Sequence, residues 1–403
     1  MGAAATLRRP VRYGVGAIMG MPDVVARLGA LRVLLVCGGR SFEASGAARM
    51  LPELERVAAV CRWSDFAPNT DAADLVRGLA IAAQFGPDVV LGVGGGSAMD
   101  MAKLLCAFVD LPGSDDPVAM ARAIRSGTVA PTGPRLVLAP TTSGTGSEAT
   151  HFAVVYIGSD KFSIGAPRLR PAVAILDPAL SRSGSAYQRA TSGIDAVAQA
   201  IESLWAVGAT ATSRRWAERA LDLLLPALEP FVQHPTEECA RAMAIGSHLA
   251  GRAIDISRTT AAHALSYAIT KRHGISHGHA VALTLGAFVE AHAAVGTAGA
   301  GGLRPGVDPA RHRETMAGIL GRLGAAEGAE ARVRFTALMR RLGLTPWLTG
   351  SAPHRTADIG ALVAAVNVER LGNNPVDFDE GGLAAILRRA EEPDVRQDGQ
   401  VWP

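Results

Sequence analysis

The sequence is poor in cysteine, in aromatic side chains and in net charge. Its four cysteines are scattered without the spacing of a metal site or a disulfide framework, so we expect reduced thiols in a cytoplasmic protein. A formal net charge of +3, with 19% charged residues, does not favour nucleic acid or a membrane surface as a partner. No apolar run is long and charge-free enough to cross a bilayer, and the N-terminal residues lack the apolar core of a signal peptide.

The most informative feature that is present is a helical carboxylate followed by a polar stretch rich in histidine. Asp195 and Gln199 are four residues apart, so on a helix both side chains leave the same face. The later stretch carries His263 and Tyr267 at the same spacing, and then His277. A carboxylate oxygen and two imidazoles form a ligand set for a divalent transition metal with open positions. Because such a metal polarises a carbonyl group, the pattern predicts an enzyme.

The chain is long enough for two domains, each with its own core. It has 403 residues, of which 48% are hydrophobic. In the first part, short apolar runs alternate with amphipathic stretches, which predicts an α/β fold with a parallel sheet. After about residue 181 the strand signal ends, and long Ala- and Leu-rich amphipathic stretches follow. We therefore predict an α/β domain over 1–180 and an all-α domain over 181–403.

Within the first domain, five apolar segments predict strands that run into the turns after them, at 32–39, 57–63, 87–97, 134–148 and 172–180. Helical periodicity lies between them, at 45–57, 70–86 and 97–109. The helix over 70–86 has a Thr-Asp capping signal at its start and Gly86 at its end. This alternation of strands and helices is the basis for the predicted parallel sheet.

Two turns rich in small residues follow the third and fourth predicted strands. The first offers backbone N–H groups to an anion at a helix N-terminus, and consists of Gly94, Gly95, Gly96 and Ser97. The second offers hydroxyl groups on Thr141, Thr142, Thr145 and Ser147. A single glycine turn is equally well explained as a tight strand–helix connection. Two such turns on adjacent strands favour a dinucleotide site at the carboxyl edge of the sheet.

The end of the first predicted strand bears on the choice of cofactor. NAD-preferring sites usually place an acid there to bind the ribose 2′-hydroxyl. This chain has Gly38, Gly39, Arg40 and Ser41 instead, which offer a guanidinium, a hydroxyl and backbone N–H groups to a 2′-phosphate. We therefore expect NADPH, with NADH as the alternative. Arg40 is also explained as an ordinary surface residue.

Four motifs occur in order along the chain: GGGSAMDMAK, PTTSGTGSE, DAVAQAIE, and HALSY followed by HGISHGHAVAL. Together they resemble the iron-containing (group III) alcohol dehydrogenases, over nearly the whole chain. The resemblance implies a Rossmann-like dinucleotide-binding domain followed by a helical metal- and substrate-binding domain, an architecture shared with dehydroquinate synthase. It also implies a homodimer. Asp100, in the first motif, becomes a candidate for a cofactor contact and for catalysis, and Lys161 and Leu176 are further candidate cofactor contacts.

The resemblance also implies a bound Fe²⁺, or Zn²⁺ or Mn²⁺, with Asp195, His263 and His277 as ligands. Two positions depart from the family pattern. Gln199 stands where a further ligand histidine is usual; an amide oxygen is a weaker ligand than imidazole, so it is either a fourth ligand or the sign of a weakened site. Tyr267 stands where many members have a histidine near the nicotinamide, and is a candidate proton relay, with water as the alternative.

These departures, with the segment VERLGNNPVDFDE at 368–380, resemble the phosphonoacetaldehyde reductases. This narrower resemblance implies reduction of phosphonoacetaldehyde to 2-hydroxyethylphosphonate in the biosynthesis of phosphonate natural products, which include antibiotics. A phosphonate group needs fixed positive charge and hydrogen-bond donors. The candidates are Arg258, Thr259, Lys271, Asn373 and Asn374. Lys271 is also well explained as a solvated cation at a helix end.

Three other functions stay open from the sequence alone. The first is an alcohol dehydrogenase or aldehyde reductase for another small aldehyde, working in either direction. The second is a lyase of the dehydroquinate synthase type, against which the TSGTGSE and HGHA motifs argue. The third is a binding protein that has lost its metal, which Gln199 suggests.

Overall fold

The computed structural model describes residues 10–129, 132–158, 160–296, 302–348 and 358–390. The chain forms two compact units. One comprises Met1–Gly184 and Thr236–Gly251, and the other comprises Ser185–Pro235 and Arg252–Pro403. The functional domains expected at 1–180 and 181–403 stay a prediction.

A six-stranded, fully parallel sheet forms the centre of the first unit, in the order β1-β8-β5-β4-β2-β3. An antiparallel hairpin, β6 and β7, stands apart from it. The strands are β1 Val11–Tyr13, β2 Arg32–Cys37, β3 Ala59–Trp63, β4 Val89–Gly94, β5 Arg135–Pro140, β6 Phe152–Ile157, β7 Asp160–Gly165 and β8 Val173–Leu176. The predicted parallel α/β fold is therefore confirmed.

The central strands are apolar because both faces of the sheet are covered. In β2, Leu34 and Val36 belong to one buried cluster, whereas Val33 and Leu35 belong to another. Successive side chains of a strand point to opposite faces, so a strand buried on both faces reads as a continuous apolar run. This pattern is the reason that β2, β4 and β5 are recognisable in the sequence.

The helices of the first unit connect these strands, and they are α1 Met21–Arg27, α2 Gly39–Ala44, α3 Leu51–Val57, α4 Ala72–Phe85, α5 Gly96–Phe108 and α6 Pro117–Arg125. Helix α4 has the two ends expected from its sequence. The Asp71 side chain accepts a hydrogen bond from the Ala73 N–H, and Gly86 ends the helix in the left-handed conformation with φ 64°.

In the described residues of the second unit, helices and their connecting loops occur, with one isolated β-bridge between Leu303 and Val376. The remaining helices are α7 Ala186–Trp205, α8 Ala211–Gln233, α9 Glu237–Ser257, α10 Ala261–His273, α11 His277–Ala293, α12 Pro309–Arg322, α13 Gly328–Arg341, α14 Ile359–Ala364, α15 Val368–Gly372 and α16 Glu380–Arg389. Of these, α9 contributes its residues up to Gly251 to the first unit. None of the helices in the described ranges is long and apolar enough to cross a membrane.

Candidate functional site

The glycine turn after β4 is shaped by close approaches that leave no room for side chains. A Cβ atom on Gly94 would lie 2.6 Å from the Ala98 Cβ and 3.4 Å from the Gly38 backbone nitrogen. A Cβ atom on Gly96 would lie 2.8 Å from the Thr145 Cγ2. Glycine therefore lets Ala98 of α5 come close to Gly94, and lets Thr145 of the turn after β5 come close to Gly96.

The second turn lies against the first. The Thr141 N–H donates a hydrogen bond to the Gly94 carbonyl at 2.9 Å, and a Cβ on Gly95 would lie 3.5 Å from the Thr142 Cγ2. Since β2, β4 and β5 are neighbours in the sheet, their carboxyl ends bring the predicted residues of all three turns together. Helix α5 starts here without a side-chain cap, so the site fits the pyrophosphate of a dinucleotide.

The third turn is the one after β2, where helix α2 begins directly after the strand. A Cβ on Gly38 would lie 2.1 Å from the Ser41 Oγ, so the turn folds tightly on itself. Gly39 and Arg40 are exposed to solvent. An exposed guanidinium at this edge is available to an anionic group, and the choice between NADPH and NADH stays a prediction.

A buried polar network holds the second turn against α5. Lys103 is fully buried and donates hydrogen bonds to the Ser147 carbonyl at 2.6 Å and the Thr150 Oγ1 at 2.8 Å. Asp100 accepts hydrogen bonds from the Ser147 hydroxyl at 2.6 Å and the Val154 N–H at 3.1 Å. Burial raises the pKa of Asp100, although the Lys103 charge opposes this effect. These contacts give Asp100 a structural role, and its catalytic role stays a prediction.

Two other predicted cofactor residues lie on strands of two different sheets. Lys161 is on β7, with its ammonium nitrogen 5.7 Å from the centre of the Tyr156 ring. Leu176 is the last residue of β8 and is buried. No contact described for these two residues tests their predicted role.

A buried pair that local sequence patterns do not reveal supports the second turn. The Glu148 carboxylate lies 3.0 Å from the His248 Nδ1, and both residues are buried. Beside them, Gly146 is in the left-handed conformation with φ 61°, and a Cβ there would lie 2.5 Å from the Gly251 Cα. The segment Thr236–Gly251 therefore packs closely against this turn, within the first unit.

In the second unit, three predicted metal ligands converge from three helices. Asp195 is on α7, His263 on α10 and His277 on α11, and one ligand atom of each lies within 4.8 Å of the others. The Asp195 Oδ1 lies 3.4 Å from the His263 Nε2 and 3.9 Å from the His277 Nε2. Asp195 and His263 are buried, whereas His277 is partly exposed.

Gln199 lies beside this group, as its spacing predicts. Its Nε2 donates a hydrogen bond to the Asp195 Oδ2 at 3.0 Å. Among the described residues, no group donates a hydrogen bond to its buried Oε1. Buried polar atoms are nearly always paired, so this atom indicates a site for a ligand. Carboxylate oxygen, amide oxygen and imidazole nitrogens together fit a divalent transition metal.

Glu202 is the most important residue that the sequence analysis missed. Its Oε2 contacts the His263 Nδ1 at hydrogen-bonding range, and its Oε1 accepts hydrogen bonds from the N–H groups of Thr260 at 3.2 Å and Ala262 at 3.0 Å. It therefore caps the N-terminus of α10 and fixes the tautomer of His263 with the proton on Nδ1. The Nε2 lone pair is then available to a metal. The signal was present, because Glu202 shares a helix face with Asp195.

The charge balance of the group depends on whether a cation is bound. Burial lowers the pKa of His263, but the carboxylates of Glu202 and Asp195 outweigh burial and raise that pKa to about 9. In the metal-free protein, protonated His263 therefore compensates for the two buried carboxylates. A metal that binds to Nε2 must displace this proton.

A close approach of helices places His277. A Cβ on Gly278 would lie 1.9 Å from the Thr191 carbonyl oxygen on α7, so only glycine lets the start of α11 come this near. The Tyr267 ring stacks on His277, with centroids 5.7 Å apart and an interplanar angle of 19°. Burial raises the pKa of Tyr267, although Arg370 lowers it through its charge and a hydrogen bond. Tyr267 therefore stays a neutral phenol beside the predicted ligands.

Among the predicted substrate residues, Arg258 and Thr259 form the link between α9 and α10. Arg258 has φ 63°, a left-handed conformation that is uncommon for a residue other than glycine. Asn373 holds this link in place, because its Nδ2 donates hydrogen bonds to the carbonyls of Ser257 at 2.8 Å and Thr259 at 3.0 Å. These contacts give Asn373 a structural role, and its predicted role in substrate binding stays a prediction.

Asn374 and Lys271 lie in different surroundings. Asn374 is fully buried, donates a hydrogen bond to the Val376 carbonyl at 2.7 Å, and lies 3.1 Å from the His292 Nε2. Lys271 is exposed in the last turn of α10, where a cation interacts favourably with the helix dipole. Arg370, which the sequence analysis did not single out, is buried and contacts Tyr267. It is a further cation near the predicted ligands.

Comparison with known proteins finds one family over both units of the chain. Residues 9–178 match the family described as iron-containing alcohol dehydrogenase, and residues 189–391 match the C-terminal region of the Fe-containing alcohol dehydrogenase family. Phosphonoacetaldehyde reductase of Streptomyces viridochromogenes is 34% identical over 76% of this chain and 76% of its own length. Long-chain-alcohol dehydrogenase 1 of Geobacillus thermodenitrificans is 32% identical over 68% of this chain and 69% of its own.

Solved structures show the same fold. Sulfoacetaldehyde reductase from Bifidobacterium kashiwanohense, in complex with NAD⁺, has a TM-score of 0.82 and 26% identity, and covers 98% of this chain and 100% of its own. A 1,3-propanediol oxidoreductase has a TM-score of 0.80 and 23% identity over 94% and 97% of the two chains. With both matched regions and the ligand geometry in agreement, the chain belongs to the iron-containing alcohol dehydrogenase family, whose members include alcohol dehydrogenases and aldehyde reductases.

Proposed function

We propose that this protein is an NADPH-dependent, metal-dependent reductase that converts phosphonoacetaldehyde to 2-hydroxyethylphosphonate. The observation that carries the proposal is the convergence of Asp195, His263 and His277. Two relatives support the choice of substrate, since their names describe reductases of phosphonoacetaldehyde and sulfoacetaldehyde. Both of these aldehydes carry a small tetrahedral anionic group. The proposal places the enzyme in phosphonate antibiotic biosynthesis, as a cytoplasmic homodimer.

The three turns of the first unit would bind the cofactor, which supplies a hydride when bound. The glycine turn and the N-terminus of α5 would hold the pyrophosphate. Arg40 and Ser41 would hold the 2′-phosphate that distinguishes NADPH from NADH. Thr142 and Thr145 would line the nicotinamide end of the site, together with Thr141.

Asp195, Gln199, His263 and His277 would hold Fe²⁺, which when bound supplies Lewis acidity toward the aldehyde oxygen. Zn²⁺ and Mn²⁺ are the other candidates for these ligands. Glu202 orients His263 from behind, by its contact with Nδ1. Tyr267 keeps a proton on its hydroxyl, because burial raises its pKa, and can therefore give that proton to the alkoxide of the product.

Fixed cations would bind the phosphonate group. Arg258 and Thr259 lead directly into the helix that carries His263, and Arg370 contacts Tyr267. A guanidinium binds two oxygens of a phosphonate at once, which an ammonium such as that of Lys271 does not. Arg258 and Arg370 are therefore stronger candidates than Lys271, and Asn373 and Asn374 are weaker ones because of their structural contacts.

An assay of NADPH consumption tests this proposal. Purified protein is supplied with phosphonoacetaldehyde or with propanal, with and without added Fe²⁺, and with NADPH or NADH. We expect the highest kcat/KM for phosphonoacetaldehyde with NADPH and Fe²⁺. Equal values for the two aldehydes would instead favour a reductase for another small aldehyde, a function that the long-chain-alcohol dehydrogenase relative supports.

A further inference from the structure

A second cavity with a strongly charged lining lies within the second unit, among the end of α7, the start of α8 and the length of α12. Its volume is about 240 Å³, somewhat below the roughly 300 Å³ at which pockets for drug-sized ligands begin, so it fits a small ion or metabolite. None of the predicted metal ligands lines it. Its charged lining residues are four arginines and two glutamates, namely Arg214, Arg215, Arg311, Arg322, Glu218 and Glu314.

Three of these arginines have no carboxylate partner. Among the described residues, none forms an ion pair with Arg214, Arg215 or Arg311, although two glutamates line the same cavity. Other arginines of this unit do pair with carboxylates: Arg322 with Asp222, Arg341 with Glu229, and Arg389 with Glu290. The cavity therefore concentrates positive charge that the protein itself does not neutralise.

Two of the unpaired cations come from different helices and act on each other. Burial lowers the pKa of Arg214, and the charge of Arg311 lowers it further, against the opposing charges of Glu218 and Glu314. The Arg214 Nε donates a hydrogen bond to the Leu204 carbonyl at 3.3 Å, which holds this guanidinium at the end of α7. Like charges held close together in a partly enclosed cavity attract an anion, because the anion relieves their repulsion.

The number and placement of the guanidiniums indicate the shape of that anion. A guanidinium binds two oxygens of a phosphate or a carboxylate at once. A tetrahedral anion offers enough oxygens for three guanidiniums from two helices, whereas a carboxylate offers only two. Glu218 and Glu314 repel a fully ionised anion such as sulfate, but a phosphate that keeps a proton donates a hydrogen bond to one of them. We propose that this cavity is a second anion site, which binds a protonated phosphate or phosphonate group.

This site does not depend on the proposed catalytic function, and thermal unfolding tests it without an activity assay. The wild-type Tm is measured in sodium phosphate and in sodium chloride of the same ionic strength and pH, and it should rise with phosphate concentration because the anion binds the folded state. In Arg311→Gln the phosphate affinity derived from these shifts should fall about tenfold or more, since a hydrogen-bonded charge is lost. In chloride the same variant should unfold at no lower temperature than wild type, because the repulsion of Arg214 is removed.

Arg313→Gln is the matched control. Arg313 is exposed on the same helix and does not line the cavity, so its substitution makes the same change of charge and should leave the response to phosphate unchanged. Arg215→Gln, with Arg219→Gln as its control on α8, repeats the comparison on the other helix and carries the test if Arg311→Gln does not fold.

The source of the anion is distinguished by a third and a fourth salt. A shift with inorganic phosphate alone identifies free phosphate as the ligand, and an equal shift with methylphosphonate identifies the phosphonate group of a small metabolite. An equal shift with sulfate would overturn the proposal, because the glutamates would then select nothing. Equal phosphate shifts in wild type, Arg311→Gln and Arg215→Gln would overturn it as well, since the anion would then bind elsewhere in the protein.

Discussion

The nucleotide turns of the first unit and the proposed metal site of the second unit are built from different kinds of groups. The nucleotide turns use backbone and small residues that are close together in sequence, and their shape depends on the absence of side chains at Gly94 and Gly96. The proposed metal site uses side chains of α7, α10 and α11, and Glu202 contacts the Nδ1 of its His263. Substitutions that change side-chain chemistry should therefore impair the proposed metal site far more than the nucleotide turns. Substitutions that add side-chain volume should instead impair the nucleotide turns.

Removal of the Asp195 carboxylate from the proposed metal site should give the largest effect. Asp195→Ala is expected to lower kcat by about 10³-fold or more, because metal polarisation of a carbonyl contributes several kcal/mol. NADPH affinity, measured by fluorescence titration, should change little. Asp222→Ala is the control, since Asp222 is a surface residue on α8 that pairs with Arg322. Substantial activity in Asp195→Ala would contradict the metal role.

Glu202→Gln tests the contact that orients His263 in the proposed metal site. The amide is nearly isosteric but removes a negative charge from His263, so metal affinity should fall about 10- to 100-fold. The pKa of His263 in the metal-free protein, measured by NMR titration, should fall below the value of about 9 that Glu202 and Asp195 support. A purely structural role would lower stability without moving this pKa.

How much of the structure can be predicted from the sequence differs between the nucleotide turns and the proposed metal site, for a physical reason. Helix α4 and strands β2, β4 and β5 follow from local patterns, because caps, turns and apolar runs act over a few residues. Glu202 was missed although it shares a face with Asp195, because its function depends on where the N-terminus of α10 arrives. Asn373 shows the same limit, since its contacts with the link between α9 and α10 are not local.

The pH dependence of metal binding should further distinguish the proposed metal site from the nucleotide turns. Since the pKa of His263 is raised to about 9, a proton competes with the metal below that pH. Metal affinity should rise about tenfold per pH unit from pH 7 to about 9 and then level off. Because the His263 pKa is higher in the folded protein than in the unfolded chain, protonated His263 also stabilises the metal-free fold. This stabilisation is fully present below the unfolded pKa of about 6.5 and is lost as the pH rises through about 9. Chelator-buffered titrations at several pH values measure the slope.

Gly96→Ala should give the smallest effect and the opposite pattern. Its Cβ would lie 2.8 Å from the Thr145 Cγ2, and a rotation of that threonine relieves the clash while it distorts the turn. NADPH affinity should fall by about tenfold, which corresponds to about 1.4 kcal/mol. Metal affinity should be unchanged, because the ligands lie on helices of the other unit. Gly321→Ala, where a Cβ would meet nothing within 4 Å, is the matched control. A loss of metal binding in Gly96→Ala, without a loss of NADPH binding, would contradict the assignment of NADPH binding to the first unit and of metal binding to the second.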